Sequence, residues 1–192
     1  LLVCAALADY TPKKSKGKIS SGKEKLILEM TPTPKIISKL KIKDAALYLE
    51  KIYEKCKTSI TKGQVLLTIA HTGDRNYIKW LNNLLYNVNN LHRANKFKEK
   101  EEIVQGIAIG LGIFGDESSF EHLLYIAMPY FSDKTQELAK KAIEKVTDNP
   151  AKISLDIILN NPDYETKVNA LLFTIESNSP EEDKINTCKM TL

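Results

Sequence analysis

The sequence predicts an all-α chain, an α-α superhelix (solenoid) of about four stacked helix hairpins, and three observations predict it. The dipeptide Gly-Asp occurs at Gly73-Asp74 and again 42 residues later at Gly115-Asp116, each time closing one apolar run and opening another. The flanking text is similar, Leu67-Thr-Ile-Ala-His-Thr-Gly-Asp74 beside Ile109-Gly-Leu-Gly-Ile-Phe-Gly-Asp116. From Lys35 onward the apolar residues recur at helical spacing, and no alternating stretch is long enough for a sheet. A repeat of this length implies units that bury their apolar faces on one another.

Each element follows from local chemistry. Asp44 can cap a helix with Leu49, Ile52, Tyr53 and Cys56 on one side. Thr58 or Ser59 starts a second, with Leu66, Ile69 and Ala70 inward, and Gly73 stops it in the left-handed conformation. Asp74 then caps a helix striped by Ile78, Leu81, Leu85 and Val88. Asn87 to Lys100 is polar and predicts a loop. Ile103, Ile107, Leu111 and Phe114 resume a helix that carries Gly106 and Gly110. Each Gly weakens a helix by about 1 kcal/mol relative to Ala, so the pair predicts close approach of a neighbour.

After Gly115-Asp116 come Phe120, Leu123, Leu124 and Ala127, ended by Pro129. Asp133 and Gln136 have capping-box spacing ahead of Leu138, Ala142, Ile143 and Val146. Asn149-Pro150 and Asn161-Pro162 each place a capping residue before a Pro suited to the first helical turn. The first leads into Ile153, Ile157 and Ile158, and the second into an inward stripe of Val168, Leu171, Leu172 and Ile175. The hairpins start near Asp44, Asp74, Asp116 and Asp148.

Charge divides the chain. Residues 9–43 carry ten Lys against Asp9, Glu24 and Glu29, whereas residues 44–192 carry 18 basic and 21 acidic residues. The expected organisation is a signal-peptide remnant over 1–8, a flexible basic arm over 9–34, a repeat domain over 35–177 and a polar tail over 178–192. Ala6-Leu7-Ala8 before Asp9 fits a signal-peptidase site, which predicts a periplasmic or otherwise exported protein, or a cytoplasmic one if that site is not cleaved. A lipoprotein acylated at Cys4 fits less well, because bulky Val3 precedes the Cys. Lys almost replaces Arg, and with many Asn and Ile this suits AT-rich coding and a bacterial source.

The text resembles HEAT repeats, within the armadillo-like superfamily, over residues from about 44 to 176. Leu111-Gly-Ile-Phe-Gly-Asp116 matches the closing motif of the family's unit, and Ile69-Ala-His-Thr-Gly-Asp74 matches the end of that motif. Residues Ser132 to Val146 look like its turn and second helix. Lys134 or Gln136 stands where the family often has Arg, so the family's Asp–Arg contact between units is not carried over. The resemblance implies a binding scaffold that needs no cofactor.

No catalytic constellation stands out. His71, His92 and His122 lack the spacing of a helical metal site, and no Gly-rich phosphate loop or nucleophile elbow occurs. Cys56 and Cys188 lie at opposite ends of the array; one is expected as a small buried residue and the other as a free tail thiol. Trp80 is either a ligand platform or a core aromatic between units.

The loop with Leu91, His92, Arg93, Lys96 and Phe97 mixes basic and apolar residues, as a projecting binding loop would; the alternative is a surface loop with Phe97 tucked in. The expected function is a non-catalytic, monomeric scaffold for a protein partner, with Trp80, Arg93, Lys96, Phe97 and Tyr130 at the contact. The alternative is a membrane-surface or cell-envelope adapter using Lys13, Lys14, Lys16 and Lys18. A third reading, a DNA glycosylase on a HEAT-like fold, requires several phosphate contacts from a body that is net acidic.

Overall fold

Gly73 and Gly115 adopt φ of 75° and 60°, the left-handed conformation that ends a helix and turns the chain back. Between and around these stops, a computed structural model describes residues 10–12, 30–32, 45–97 and 100–190. The described body is all-helical: α1 (Ala45–Lys55), α2 (Ser59–Thr72), α3 (Tyr77–Arg93), α4 (Glu102–Phe114), α5 (Phe120–Ala127), α6 (Asp133–Val146), α7 (Pro150–Asn160), α8 (Tyr164–Glu176) and α9 (Glu181–Met190). A single 3-10 turn, Glu117–Ser119, leads into α5.

The helices pack in chain order. α1 lies on α2, α3 on α4, α5 on α6 and α7 on α8, while α2, α4 and α6 also form a row and α3 packs on α5. α4 is the centre of that row. Val104, Ile107, Ala108 and Leu111 are fully buried in it. The close approach expected at Gly106 is present, a Cβ there lying 2.4 Å from the Gly63 carbonyl oxygen of α2, whereas at Gly110 the nearest atoms would be the side-chain Ala70 Cβ at 3.3 Å and Leu81 Cδ1 at 3.4 Å. Gly112, not singled out from sequence, would bring a Cβ 2.9 Å from the Ala142 Cα of α6. Small residues thus let α2, α4 and α6 touch nearly backbone to backbone.

The two Gly-Asp turns are joined. Arg75, just after the first, places its guanidinium 2.6 Å from Asp116 of the second and donates to the Phe114 carbonyl at 3.1 Å. An Asp–Arg contact between layers therefore exists, at the Gly-Asp turns and not at Lys134 or Gln136. Asp74 and Asp116 accept from the backbone amides of Asn76 and Ser118. Thr58 caps α2 by accepting from the Thr61 amide.

Several expectations are corrected. Residues 87–93 continue α3 rather than forming a loop, because Asn89 is buried and its side-chain amide donates to the His122 carbonyl of α5 at 3.1 Å. The loop is confined to the residues after Arg93. Asp163, not Asn161, caps α8 through the Thr166 amide. Asn149 turns its side chain to Asp183 at 2.6 Å instead of capping α7.

On α8 the inward face is Thr166, Asn169, Ala170, Phe173 and Thr174, so Val168, Leu172 and Ile175 point outward, against expectation. The polar tail contains α9, which docks on α7 through Thr187, whose hydroxyl donates to the Ala151 carbonyl. N-terminal to α1, Tyr10–Pro12 pairs antiparallel with Met30–Pro32. The Pro at the end of each three-residue strand lacks an amide to extend the ladder. Residues 1–8, Asp44, Lys13, Lys14, Lys16 and Lys18 lie outside the described residues.

Candidate functional site

Arg93 and Tyr130 are brought together around Tyr125. Arg93 ends α3, where positive charge suits the helix dipole. Its guanidinium lies 4.5 Å from the centre of the Tyr125 ring, and Nε is 3.3 Å from Glu165. A second nitrogen is 3.5 Å from Asp163 and donates to the Thr166 hydroxyl at 3.4 Å. Tyr130 stacks with Tyr125 at 4.8 Å, and its hydroxyl donates to Asn169 Oδ1 at 3.4 Å. His92 Nδ1 lies 3.0 Å from the Tyr125 hydroxyl, and its ring packs 4.4 Å from Phe131. Burial, and then the nearby Glu165, push the Tyr125 phenol above its usual value, against the pull of Arg93. Burial likewise raises Tyr130. Both phenols are therefore neutral at physiological pH and offer hydrogen bonds and ring faces, not an activated oxygen.

The other nominated residues divide. Lys96 is exposed in the loop after α3, and Phe97 is half-buried against the core. Trp80 is a core aromatic, edge-on to Tyr53 at 5.6 Å and Tyr77 at 5.7 Å. Sequence reasoning missed Tyr125, Asp163, Glu165 and Asn169. The signal for the acids was an Asp-x-Glu pair available to one of only two Arg residues in the chain.

No family model, curated protein or solved structure matches this chain. The geometry therefore stands alone.

A concavity lies between α3 and α5, about 680 Å³, lined by Arg75, Lys79, Asn82, Asn83, Ser118 and His122 among others. A chain of hydrogen bonds crosses its floor. Asn82 Nδ2 donates to Ser118 Oγ at 3.3 Å, and Ser118 Oγ donates to Asp116 at 2.6 Å. Asn82 Oδ1 is buried with no partner. Burial holds His122 below its usual value, so its imidazole is neutral at pH 7. The groove can hydrogen-bond a polar ligand, and it places no nucleophile beside a base.

The third polar cluster is a cap supplied from a neighbouring element. Glu101 accepts from the Ser132 amide at 3.1 Å, from the Ser132 hydroxyl, and from the Thr135 hydroxyl at 2.5 Å, covering the N-terminus of α6. This replaces the expected Asp133–Gln136 box; Gln136 instead donates to the Phe131 carbonyl at 2.7 Å. Burial pushes the Glu101 carboxyl up, but the bonds from Ser132 and Thr135, with His92 nearby, outweigh it and hold the carboxyl below its ordinary value of 4.5. Because the folded state binds this proton less tightly, the stabilisation is full above the unfolded value and is lost as pH falls through the folded one. Glu101→Gln should thus lower the urea midpoint at neutral pH, and the gap to wild type should shrink as the pH falls below the ordinary carboxyl value. A gap that persists in acid would show that the charge is not what caps α6.

Among the described residues no group of three or more His, Cys, Asp or Glu is placed to hold a metal. Cys56 and Cys188 are both half-buried and unpaired with each other. Among the same residues, no helix is long and apolar enough to cross a membrane.

Proposed function

We propose that the chain is a non-catalytic binding scaffold, an α-α superhelix of about four HEAT-like hairpins that presents a pre-set surface to a protein partner in an exported, periplasmic setting. The row of α2, α4 and α6 and the Arg75–Asp116 clip support the stacked arrangement. The exported setting rests on Ala6-Leu7-Ala8.

The observation that carries the binding reading is the mounting of Tyr130. It is exposed, yet its ring is stacked on Tyr125 and its hydroxyl is tied to Asn169, so little rotamer freedom remains to be lost on binding. Tyr and Arg are the residue types that dominate interface energies. Leu91 and Lys96, both exposed, flank Arg93 in the chain, the Lys96 amide donating to the Leu91 carbonyl at 2.8 Å, and His92 packs on Phe131, next to Tyr130 in the chain.

The test is a photo-cross-linking residue placed at Lys96 or, as a control, at exposed Lys141 on α6, in the source cells. Position 96 is expected to yield a discrete cross-linked protein that position 141 does not, and Tyr130→Ala should remove it without lowering the melting temperature appreciably. Equal labelling at both positions, or none at position 96, would remove this reading.

A further inference from the structure

The outer face of α8 carries Tyr164, Val168, Leu172 and Ile175, spaced four, four and three residues apart, which aligns them on one side of the helix. Their exposures are 79%, 36%, 49% and 56%. The stripe runs for about 16 Å along the helix. α9 follows in the chain but packs mainly on α7, leaving this face open. Scattered apolar residues on a surface are ordinary, whereas a continuous stripe marks a contact.

The opposite end of the array is also apolar. α1 exposes Leu47 and Tyr48, and α2 exposes Ile60. The charges on the two faces differ. Glu165 and Glu176 edge the α8 stripe on one flank, while Lys51 and Lys55 lie between Leu47 and Tyr48 on α1, with Glu54 on the Leu47 flank. Glu165 and Glu176 meet Arg93 and Lys140 within the molecule, yet their side chains remain 42% and 63% exposed.

We propose that the α8 face docks on the α1–α2 face of a second copy of this chain, head to tail. The contact continues the packing inside the molecule, where each helix layer lies on the one before it. It sets aromatic and aliphatic side chains together and brings Glu against Lys. The rival contact, α8 on α8 about a two-fold axis, is disfavoured by charge. In an antiparallel helix pair each flank meets the same flank of its mate with the ends reversed, so Glu165 of one copy would face Glu176 of the other and the two Lys167 side chains would share the opposite flank. A head-to-tail contact uses two different surfaces and leaves one of each free, so association is open-ended. It differs from the monomer expected from sequence, and it meets the Tyr130 patch only at Glu165, which pairs with Arg93.

The test uses the full chain and two variants at exposed positions, Leu172→Glu, which blocks the tail, and Tyr48→Glu, which blocks the head. Sedimentation should show wild-type mass rising with concentration beyond a dimer, and both variants should be monomeric alone. Mixed in equal amounts, the variants should give a dimer and stop there, because only one intact head and one intact tail remain. Circular dichroism checks that both stay folded; if either does not, Leu172→Ser and Tyr48→Ser carry the same comparison. A wild type that is monomeric at every concentration overturns the proposal. So does a Tyr48→Glu variant that still dimerises, which would indicate the α8–α8 contact, or a mixture that stays monomeric.

Discussion

Gly106→Ala is expected to destabilise the protein by about 1–3 kcal/mol or more, although Ala is the better helix former by about 1 kcal/mol. The added methyl would meet the Gly63 carbonyl oxygen at 2.4 Å, Cα at 2.6 Å and carbonyl carbon at 2.8 Å. These are backbone atoms of α2, so no side-chain rotation relieves the overlap, and α2 must move off α4. Gly110→Ala is the internal control. Its methyl would meet Ala70 Cβ at 3.3 Å and Leu81 Cδ1 at 3.4 Å, and those atoms can give by a few tenths of an ångström. The gain in helix propensity then offsets most of the crowding, and the change should be nearly neutral. Urea midpoints of the two variants decide the matter. Equal shifts would mean that α2 and α4 do not cross at Gly63 and Gly106.

Phe120→Ala should cost about 3–5 kcal/mol, the usual range for a buried Phe. Phe120 is 1% exposed and meets Phe173 of α8 edge-on at 6.2 Å, so it links the α5–α6 hairpin to the last one. In a layered array stability is close to a sum over neighbouring layers. The loss should therefore fall unevenly: amide exchange in α7, α8 and α9 should accelerate well beyond that in α1 and α2. Hydrogen exchange read by mass spectrometry on both ends separates the outcomes. Uniform acceleration would show that the body unfolds as one unit and that the layers are not independent.

Much of the architecture was legible because it depends on chemistry within a few residues. Gly73 and Gly115 end helices as Gly does, Thr58 caps α2, and Gly106 foretold a close neighbour. The errors share a cause, namely that a partner distant in sequence overrode the local pattern. Asn87 to Arg93 is polar enough to suggest a loop, but Asn89 reaches the His122 carbonyl and stays helical.

On α8 the bulky aliphatic residues were assigned inward, yet Ala170 and Thr174 fill the 0%-exposed positions and let α8 lie close to its neighbours. Apolar does not imply buried when no described helix lies beyond. The start of α9 carried a usable signal, Ser179-Pro180 followed by Glu181, Glu182 and Asp183, the same Pro-at-the-start device read at Pro150. At the candidate site Arg93 could be nominated from its neighbours in sequence. Its counter-ions could not, since they lie beyond four intervening helices in the chain.

The burial of α4 has a consequence for the chain before it is folded. From Ile103 to Phe114 there is no charged side chain, and between its two covering helices none is needed. On a newly made or partly opened chain the same twelve residues would be sticky. Glu101 and Glu102 stand immediately before them, and Asp116 and Glu117 follow almost at once. Like charges at both borders repel a second copy of the segment and oppose aggregation. The acids that cap and clip the finished layers are thus also placed as gatekeepers during synthesis, so neutralising them should lower soluble yield as well as loosen the folded contacts.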